Sequence, residues 1–418
     1  MSLPNERRVV VTGIGVVAPN GIGREAFWQG LKTGLNCVDN ISFFDTSEHP
    51  SKVAAEIRNF KAENYVPLKK IKKMDRSTHM GIAAGLEAMA DSRLPINDKT
   101  ATNIGCIIGT GAGGMGFAEH EMSVYFKEGL KKVNPYAAIS VFCGAIPSEI
   151  AIQLGIKGPN IAVSNGCTSS NDAIGLAYNT VKAGTVDAVL TGGVDACVTP
   201  AIVGSFCRIN ALSTKRNHDP KKASRPFNLD RDGFVMSEGA WLFVFEELQS
   251  ALKRGAKIYA EMVGYGSTCD AYHMTAPAPD SEQTARAMQV ALKTAGLVPG
   301  KIDYIVAHGT STPLNDKNET KAIKIAFGDH AKKLSISSIK SMIGHAVGAA
   351  AAGNFVAAVM AAKENYIPPT INFENPDPEC DLDYTPNKGK SLTVNYALVN
   401  SIGFGSKNAS TIVKKYQE

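Results

Sequence analysis

The sequence contains 418 residues, which is enough for two or three domains, or for two fused halves, with a large buried core. Its 39 glycines, 20 prolines and 20% charged residues exclude disordered, collagen-like and coiled-coil proteins. A net charge of +5 is small for a protein whose affinity must come from neutralising phosphates, so we predict no nucleic-acid partner.

Short β-branched runs alternate with alanine-rich stretches along the whole chain, a pattern typical of an α/β protein with buried strands. No low-complexity linker separates these runs. Strands are predicted at residues 8–12, 104–108, 161–164, 188–191, 241–245, 258–263, 304–307, 334–338 and 397–400.

The chain carries no sequence signal for export, membrane insertion or metal binding. Its start, MSLPNERR, lacks the apolar core of a signal peptide, and the most apolar run, residues 347–362, is interrupted by Asn354. The 8 cysteines occur singly, without a CxxC pair or a Cys/His spacing suited to zinc. We therefore expect a cytoplasmic protein with reduced thiols, no membrane insertion and no metal.

The second half of the chain repeats the order of features in the first half, which indicates an internal duplication. Three stretches recur: residues 7–15 resemble 256–266, residues 104–114 resemble 302–312, and residues 161–177 resemble 334–353. The third pair places Cys167 and His345 at matching positions near the starts of two small-residue helices. A pseudo-twofold axis would bring the N-termini of both helices toward one centre.

Two glycine-rich stretches, GIGVVA (13–18) and GTGAGG (109–114), partly match dinucleotide-binding fingerprints. The first is followed by Pro19, Asn20 and Gly21, which interrupt the helix that should receive the pyrophosphate. The second is not followed by an acidic residue at the end of a next strand. We therefore predict tight turns at strand ends rather than a cofactor site.

Cys167 lies in NGCTSSND (165–172), between a predicted buried strand and an alanine-rich helix. At a helix N-terminus the free N–H groups and the helix dipole favour a thiolate, and the same groups can bind an oxyanion. The sequence thus predicts a nucleophilic thiol at this position. The alternative, a buried structural cysteine, fits the other cysteines.

Two histidines accompany this cysteine: His308 in AHGTSTP (307–313) and His345 in SIKSMIGHA (338–346). A single histidine is more often a satisfied polar residue than a catalytic one. Two of them in loops of one half, opposite a cysteine in the other, indicate acyl transfer through a thioester. A hydrolase would need one base with an orienting carboxylate or asparagine, whereas two histidines suit a reaction that stabilises an enolate.

Over nearly its whole length the chain resembles the β-ketoacyl-acyl carrier protein synthases of the thiolase superfamily. The resemblance is carried by six motifs in order: GCTS (166–169), KKASRPFNLDRDGFV (221–235) with SEG (237–239), DAYHMT (270–275), HGTSTP (308–313), KSMIGH (340–345) and GFG (403–405).

The resemblance implies a thiolase-like α/β fold in which duplicated halves form a five-layered αβαβα arrangement. We place the halves at residues 1–255, which carry the nucleophile, and residues 256–418, which carry both histidines.

The resemblance also implies a decarboxylative Claisen condensation. Cys167 would take an acyl chain from a carrier-protein thioester, while His308 and His345 would hydrogen-bond the malonyl thioester oxygen as CO2 leaves. The resulting enolate would attack the acyl-cysteine, and the backbone N–H groups of Cys167 and Phe404 would hold the oxyanion. The enzyme itself would bind no cofactor, because substrates arrive on the phosphopantetheine of acyl carrier protein.

Further roles follow from the same resemblance. Lys340 would form a buried electrostatic pair with Glu319 near the catalytic residues. Phe404 would act as a gate in a glycine-rich loop. Thr310 and Thr312 would contact the phosphopantetheine arm, with loop capping as the alternative. The implied substrate-binding residues are Thr310, Thr312, Ala112, Phe206 and Glu319.

The implied partners are an acidic acyl carrier protein and either a second copy of the chain or a cysteine-less chain-length factor. Basic residues are candidates for carrier-protein docking, although a charge run is more often a solvated face. These candidates are Lys69, Lys70, Lys72, Lys73, Lys131, Lys132 and Arg208.

Three departures from the family pattern bear on substrate. Ala112 stands where fatty-acid enzymes commonly carry a larger aliphatic residue at the bottom of the acyl pocket, and Ser406-Lys407 replaces the usual Gly-Thr. Residues 165–172, 315–320 and 337–345 are closer to ketosynthase subunits of type II polyketide synthases.

The pathway therefore stays open between fatty-acid elongation and a type II polyketide ketosynthase subunit. A noncatalytic chain-length factor is disfavoured because Cys167, His308 and His345 are all present. A coenzyme A thiolase is disfavoured because thiolases generally have asparagine where His308 stands and a second cysteine where Phe404 stands.

Overall fold

The computed structural model describes residues 7–417, so the first six residues of the polar start lie outside the described range. The strands are β1 (Val9–Ala18), β2 (Gly21–Ile22), β3 (Asp39–Asn40), β4 (Val53–Ala55), β5 (Ile104–Gly109), β6 (Asn160–Val163), β7 (Ala188–Ala196), β8 (Met236–Glu247), β9 (Ala260–Cys269), β10 (Tyr304–Val306), β11 (Ser335–Ser337), β12 (Tyr366–Ile367), β13 (Lys390–Ser391), β14 (Tyr396–Gly403) and β15 (Lys407–Lys415).

Helices connect and cover these strands. They are α1 (Arg24–Thr33), α2 (Leu68–Ile71), α3 (Arg76–Ser92), α4 (Met115–Glu128), α5 (Ala137–Ser140), α6 (Ala145–Leu154), α7 (Ser169–Lys182), α8 (Pro200–Arg208), α9 (Leu248–Lys253), α10 (Glu282–Ala295), α11 (Pro313–Phe327), α12 (Lys340–Ile343) and α13 (Ala350–Glu364).

All nine predicted strands are confirmed, and the sequence analysis missed β15 among the long ones. The main sheet runs in the order β11-β10-β14-β15-β9-β1-β8-β7-β5-β6. The first five of these form a C-terminal half-sheet and the last five an N-terminal half-sheet. The halves join where Val9–Val11 of β1 pairs antiparallel with Ala260–Met262 of β9.

Five layers of structure stack in the order that the resemblance implies. Helices α7 and α13 contact strands of both half-sheets and lie between them, and α13 is buried from residue 350 to residue 362. Helix α3 covers the N-terminal half-sheet on its other face, against β1, β7 and β8. Helix α10 covers the C-terminal half-sheet against β9 and β15. The αβαβα arrangement is thus confirmed.

The prediction of a tight turn at residues 13–18 is wrong, because all six residues belong to β1. The glycines there serve close packing instead: a Cβ at Gly15 would lie 1.9 Å from the carbonyl oxygen of Ala84 in α3. A glycine allows equally close packing of strand and helix in the C-terminal half, since a Cβ at Gly266 of β9 would lie 2.2 Å from the carbonyl oxygen of Ala287 in α10. The turn predicted at residues 109–114 does form, with Gly113 at a φ of 58°.

Within residues 7–417, none of the helices combines the length and apolarity needed to cross a bilayer. The same part of the chain contains no cluster of histidine, cysteine, aspartate or glutamate side chains that could hold a metal ion. All eight cysteines fall in this range and are free.

Replacing Gly15 by alanine should lower the free energy of unfolding by about 3 kcal/mol, because the added carbon must displace helix backbone rather than a flexible side chain. The midpoint of urea-induced unfolding measures this loss. Gly300→Ala is the matched control, since nothing lies within 4 Å of its Cβ position. Equal midpoints for the two variants would contradict the close contact of β1 with α3.

Candidate active site

Cys167 sits in a sharp turn between β6 and α7. The turn is the 3-10 segment Gly166–Thr168, and Gly166 adopts a φ of 61°, which glycine reaches without steric cost. The carboxylate of Asp172 accepts hydrogen bonds from Asn165 Nδ2 at 3.0 Å and from Thr168 Oγ1 at 2.9 Å. A third donor, the Tyr265 hydroxyl, reaches Asp172 from the C-terminal half at 2.7 Å. The turn is therefore held by both halves.

The surroundings of the Cys167 sulfur have opposing effects on the pKa of its thiol. Burial raises the pKa of the Cys167 thiol to about 11, while the backbone N–H of Phe404 and the charge of Lys340 favour the thiolate. The predicted effect of the helix terminus is therefore outweighed by burial, and the thiol is protonated at neutral pH. The backbone N–H groups of Phe404 and of Cys167 itself both lie close enough to the sulfur to lower its pKa. They converge where an oxyanion on an attacked carbonyl would form.

A cavity of about 270 Å³ opens beside the sulfur. Residues from both halves of the chain line it, and no lysine, arginine, aspartate or glutamate of the described chain is among them. Its lining includes these predicted site residues: Cys167, Phe206, His308, Thr310, Thr312, His345 and Phe404.

The two histidine rings meet edge to face, with centroids 5.3 Å apart and an interplanar angle of 87°. His308 follows β10, whereas His345 is tied to the start of β8, its N–H donating to Val235 at 2.8 Å. Both side chains are buried. Burial, reinforced by the nearby charge of Lys340, lowers the pKa of each imidazole well below its usual value. Both rings are therefore neutral at neutral pH, and each carries one N–H donor.

Packing rather than hydrogen bonding orients the ring of His345. Its Nδ1 atom is buried and has no hydrogen-bond partner within the described chain. Instead the ring meets Phe234 edge to face at 5.1 Å. Phe234 in turn contacts Phe206 at 5.5 Å, and Phe206 stacks on Phe404 at 6.3 Å. A continuous row of aromatic rings thus connects the loop of Phe404 with both imidazoles.

Lys340 and Glu319 hold the peptide groups around His308 from opposite sides. Lys340 Nζ donates to the carbonyl of His308 at 2.7 Å, and Glu319 accepts from the N–H groups of His308 and Gly309, both at 2.7 Å. Asn400 Nδ2 also donates to Glu319 at 2.8 Å. Lys340 and Glu319 therefore interact through these peptide groups, and the charge of Glu319 favours the protonated form of Lys340. Burial lowers the pKa of Lys340 to about 8 and raises that of Glu319.

The N-termini of α7 and α13 meet at the cavity, as the predicted duplication requires. The N–H of Ala352 donates to Ser170 Oγ at 3.0 Å, which connects the first turns of the two helices directly. Cys167 precedes α7 and His345 precedes α13. The shared start of these helices therefore places the cysteine and the histidine on one cavity.

Asp195, which sequence reasoning missed, joins the loop after β5 to the turn before α13. Its fully buried carboxylate accepts from the N–H groups of Gly111 at 2.8 Å, Ala112 at 2.9 Å and Ala349 at 3.1 Å. Burial raises the pKa of Asp195 to about 6. The available signal was an acidic residue inside an otherwise buried strand, TGGVDAC (191–197).

The remaining predicted substrate residues divide into two groups. The hydroxyls of Thr310 and Thr312 lie 2.9 Å apart on the cavity wall, and Thr312 also caps α11 by accepting from the N–H of Asn315. The contact and capping roles are therefore compatible for Thr312. Ala112 does not line the cavity but packs in the same apolar cluster as Phe206 and Phe404.

The predicted docking residues lie at the surface, although Lys70 is half-buried. The two lysine stretches are neighbours, because Asn134 Nδ2 donates to the carbonyl of Lys72 at 2.7 Å and Lys73 Nζ donates to the Tyr136 hydroxyl at 3.0 Å. Arg208 ends α8 at the mouth of the cavity, beside Ile209 of its lining.

The chain is similar to known proteins along nearly its whole length. Residues 6–251 match the family described as beta-ketoacyl synthase, N-terminal domain, and residues 259–374 match beta-ketoacyl synthase, C-terminal domain. The chain is 46% identical over 412 residues to 3-oxoacyl-[acyl-carrier-protein] synthase 2 of Synechocystis sp., covering 99% of both chains.

Two solved structures superpose closely, each with 34% identity and covering 99% of this chain and 100% of the other. One is a type II polyketide synthase acyl-carrier protein in complex with its ketosynthase bound to the hexaketide, with a TM-score of 0.92. The other is the ishigamide ketosynthase/chain length factor, with a TM-score of 0.91.

Proposed function

We propose, because the chain belongs to the β-ketoacyl synthase family, that it condenses malonyl-acyl carrier protein with an acyl chain held as a thioester on Cys167. Such an enzyme is an acyltransferase, a 3-oxoacyl-acyl carrier protein synthase. The observation that supports the assignment of residues is the meeting of one cysteine and two neutral histidines on a single uncharged cavity. The division of the chain at residue 255 stays a prediction.

The first step is acyl transfer. Cys167 attacks the carbonyl of the acyl-phosphopantetheine thioester, and the new C–S bond replaces the bond to the pantetheine sulfur. The thiol proton passes from Cys167 to the departing thiolate. Because the pKa of Cys167 is about 11, this proton needs a nearby acceptor as the bond forms, and the neutral imidazoles are the available bases. The N–H groups of Cys167 and Phe404 hold the oxyanion.

The second step is decarboxylation followed by condensation. His308 and His345 each donate an N–H to the thioester oxygen of the malonyl group, which favours the enolate as the C–C bond to CO2 breaks. The enolate carbon attacks the acyl-Cys167 carbonyl, and the cysteine sulfur leaves as a thiolate that takes a proton from water. Lys340 and Glu319 position the His308 peptide throughout. Thr310 and Thr312 line the path of the phosphopantetheine arm, which brings both substrates, so the enzyme supplies no cofactor.

Alanine variants separate these two steps. Cys167→Ala should abolish acyl-enzyme formation while decarboxylation of malonyl-acyl carrier protein continues. The single variants His308→Ala and His345→Ala each keep one imidazole to accept the thiol proton, so they should retain acyl loading but lose decarboxylation by about a hundredfold or more. Intact-mass spectrometry measures loading, and release of labelled CO2 measures decarboxylation.

The control for this series is Cys269→Ala, because Cys269 is exposed and does not line the cavity. It should behave as the parent enzyme in both assays. Loading by Cys167→Ala would refute the assignment of the nucleophile, and normal decarboxylation by both histidine variants would refute the enolate mechanism.

Acyl carrier protein is the proposed partner at the lysine patch, defined as Lys69, Lys70, Lys72, Lys73, Lys131 and Lys132, together with Arg208. Surface charges at the edge of an interface act mainly on the association rate and are screened by salt. The double variant Lys69→Glu, Lys72→Glu should therefore raise KM for carrier-bound substrate about tenfold at low salt, with kcat nearly unchanged. Lys388→Glu, a charge reversal at another exposed site, is the control. An unchanged KM would exclude the lysine patch as the docking site of acyl carrier protein.

The second candidate function, a ketosynthase subunit of a type II polyketide synthase, is favoured by the two superposed structures. Under either function, one surface of the chain has the character of an interface. Strand β6 ends the sheet, and its outer edge is unpaired within residues 7–417. Phe142, 62% exposed, lies just before α6, the helix that contacts β6, and Phe126 of α4, the helix that contacts α5, is 77% exposed. We propose that a second copy or a chain-length factor covers this face.

Native mass spectrometry of the chain, alone and co-expressed with its genomic neighbours, distinguishes the two assemblies. A stable homodimer with activity on acyl primers supports fatty-acid elongation, whereas a heterodimer that alone is active supports the polyketide function. Phe126→Glu should dissociate either assembly, because a charge would be buried in the interface. Val298→Glu, at a 63% exposed position of the other half, should not. If the chain remains monomeric under all conditions, the proposal that a partner covers this face is wrong.

A further inference from the structure

The gating loop, defined here as residues 403–406 between β14 and β15, is fastened to a second segment of the cavity wall. Gly403 and Phe404 line the cavity on one side. The facing segment, residues 270–277, lines it with Thr275, Ala276 and Pro277. Access to Cys167 thus depends on how these two stretches are held together.

Ser406 makes most of the connections between them. Its hydroxyl accepts hydrogen bonds from the N–H groups of Tyr272 and His273, both at 3.1 Å, and donates to the carbonyl of His273 at 2.9 Å. These three bonds use the full capacity of a hydroxyl group. The backbone adds two more: the N–H of Gly405 donates to Met274 at 2.6 Å, and the carbonyl of Ser406 accepts from Asp270 at 2.8 Å.

The backbone of Ser406 is in a conformation that a serine adopts at a cost. Its φ is 63°, in the left-handed region, where glycine alone is free of steric penalty. A glycine would remove the penalty, but it would also remove all three side-chain hydrogen bonds. A strained residue with a fully engaged side chain at a cavity mouth indicates a role for that side chain.

We propose that Ser406 is a positioning residue that fastens the gating loop to the facing segment and so holds Phe404 over Cys167. This inference rests on the proposed function only in treating Phe404 as the gate. Opening the cavity then requires either the loss of these three hydrogen bonds or the joint movement of both stretches. The same bonds keep the N–H of Phe404 directed at the sulfur, so that easier opening comes with a less well-held oxyanion site.

Two variants test the role of the hydroxyl. Ser406→Gly keeps the left-handed φ without strain and removes the three hydrogen bonds, while Ser406→Ala removes them without adding backbone freedom. Both should speed hydrogen exchange in residues 270–277 and 403–406, and alkylation of Cys167 by iodoacetamide, about tenfold. In turnover, both should load acyl chains at least as fast as the parent and show a kcat for condensation about fivefold lower, with an unchanged Tm.

The control is Asn365→Gly, because Asn365 is also left-handed, with a φ of 54°, and its side chain accepts hydrogen bonds from Val394 and Lys415. It lies at the far end of α13 from the cavity and should change neither exchange in these segments nor alkylation.

Parent-like exchange and alkylation in Ser406→Ala would overturn the proposal, as would an effect confined to Ser406→Gly, which would point to backbone freedom alone. Neither measurement requires carrier protein or turnover. A failure here is therefore distinct from a failure of the condensation chemistry, which the Cys167 and histidine variants test.

Discussion

The contact between the first turns of α7 and α13 determines where the active-site groups of this enzyme lie. Each helix is buried between the two half-sheets, and each begins at the same point because the two halves of the chain are built alike. A residue placed just before either helix must therefore face the same cavity. Cys167 and His345 occupy such positions, and His308 joins them from the end of β10. The geometry of the site is a property of the whole interface between the halves.

Burial then decides the charge state of nearly every group that this interface brings together. It raises the pKa of Cys167 and of Asp195 and lowers the pKa of both histidines and of Lys340. The protein offsets part of this cost with backbone groups: Asp195 and Glu319 each accept several N–H groups, and Lys340 donates to a carbonyl. Backbone dipoles thus take the place of counter-ions, and neutral imidazoles remain as donors beside the sulfur.

The sequence predicted those features that depend on the chemical type of a residue and on its position in or just after a buried strand. The buried strands, and the position of Cys167, His308 and His345 on one cavity, could be predicted in this way. Strand β15 could not, because its polar ends and the buried serine and threonine in its centre do not form an apolar run. Asp172 and Asp195 were missed for a different reason. Asp195 binds N–H groups that are distant in sequence, and Asp172 connects two residues of its own turn with Tyr265 of the other half. The long-range partners leave no local pattern.

The absence of formal charge from the residues lining the cavity has a consequence for any anion that enters. A carboxylate brought there would exchange its hydration shell for apolar walls and neutral rings, with no cation among the lining residues to compensate. Conversion into a small, uncharged gas removes that penalty at once. The pocket therefore disfavours the bound ion more than the neutral fragment it becomes, and this difference assists the bond cleavage.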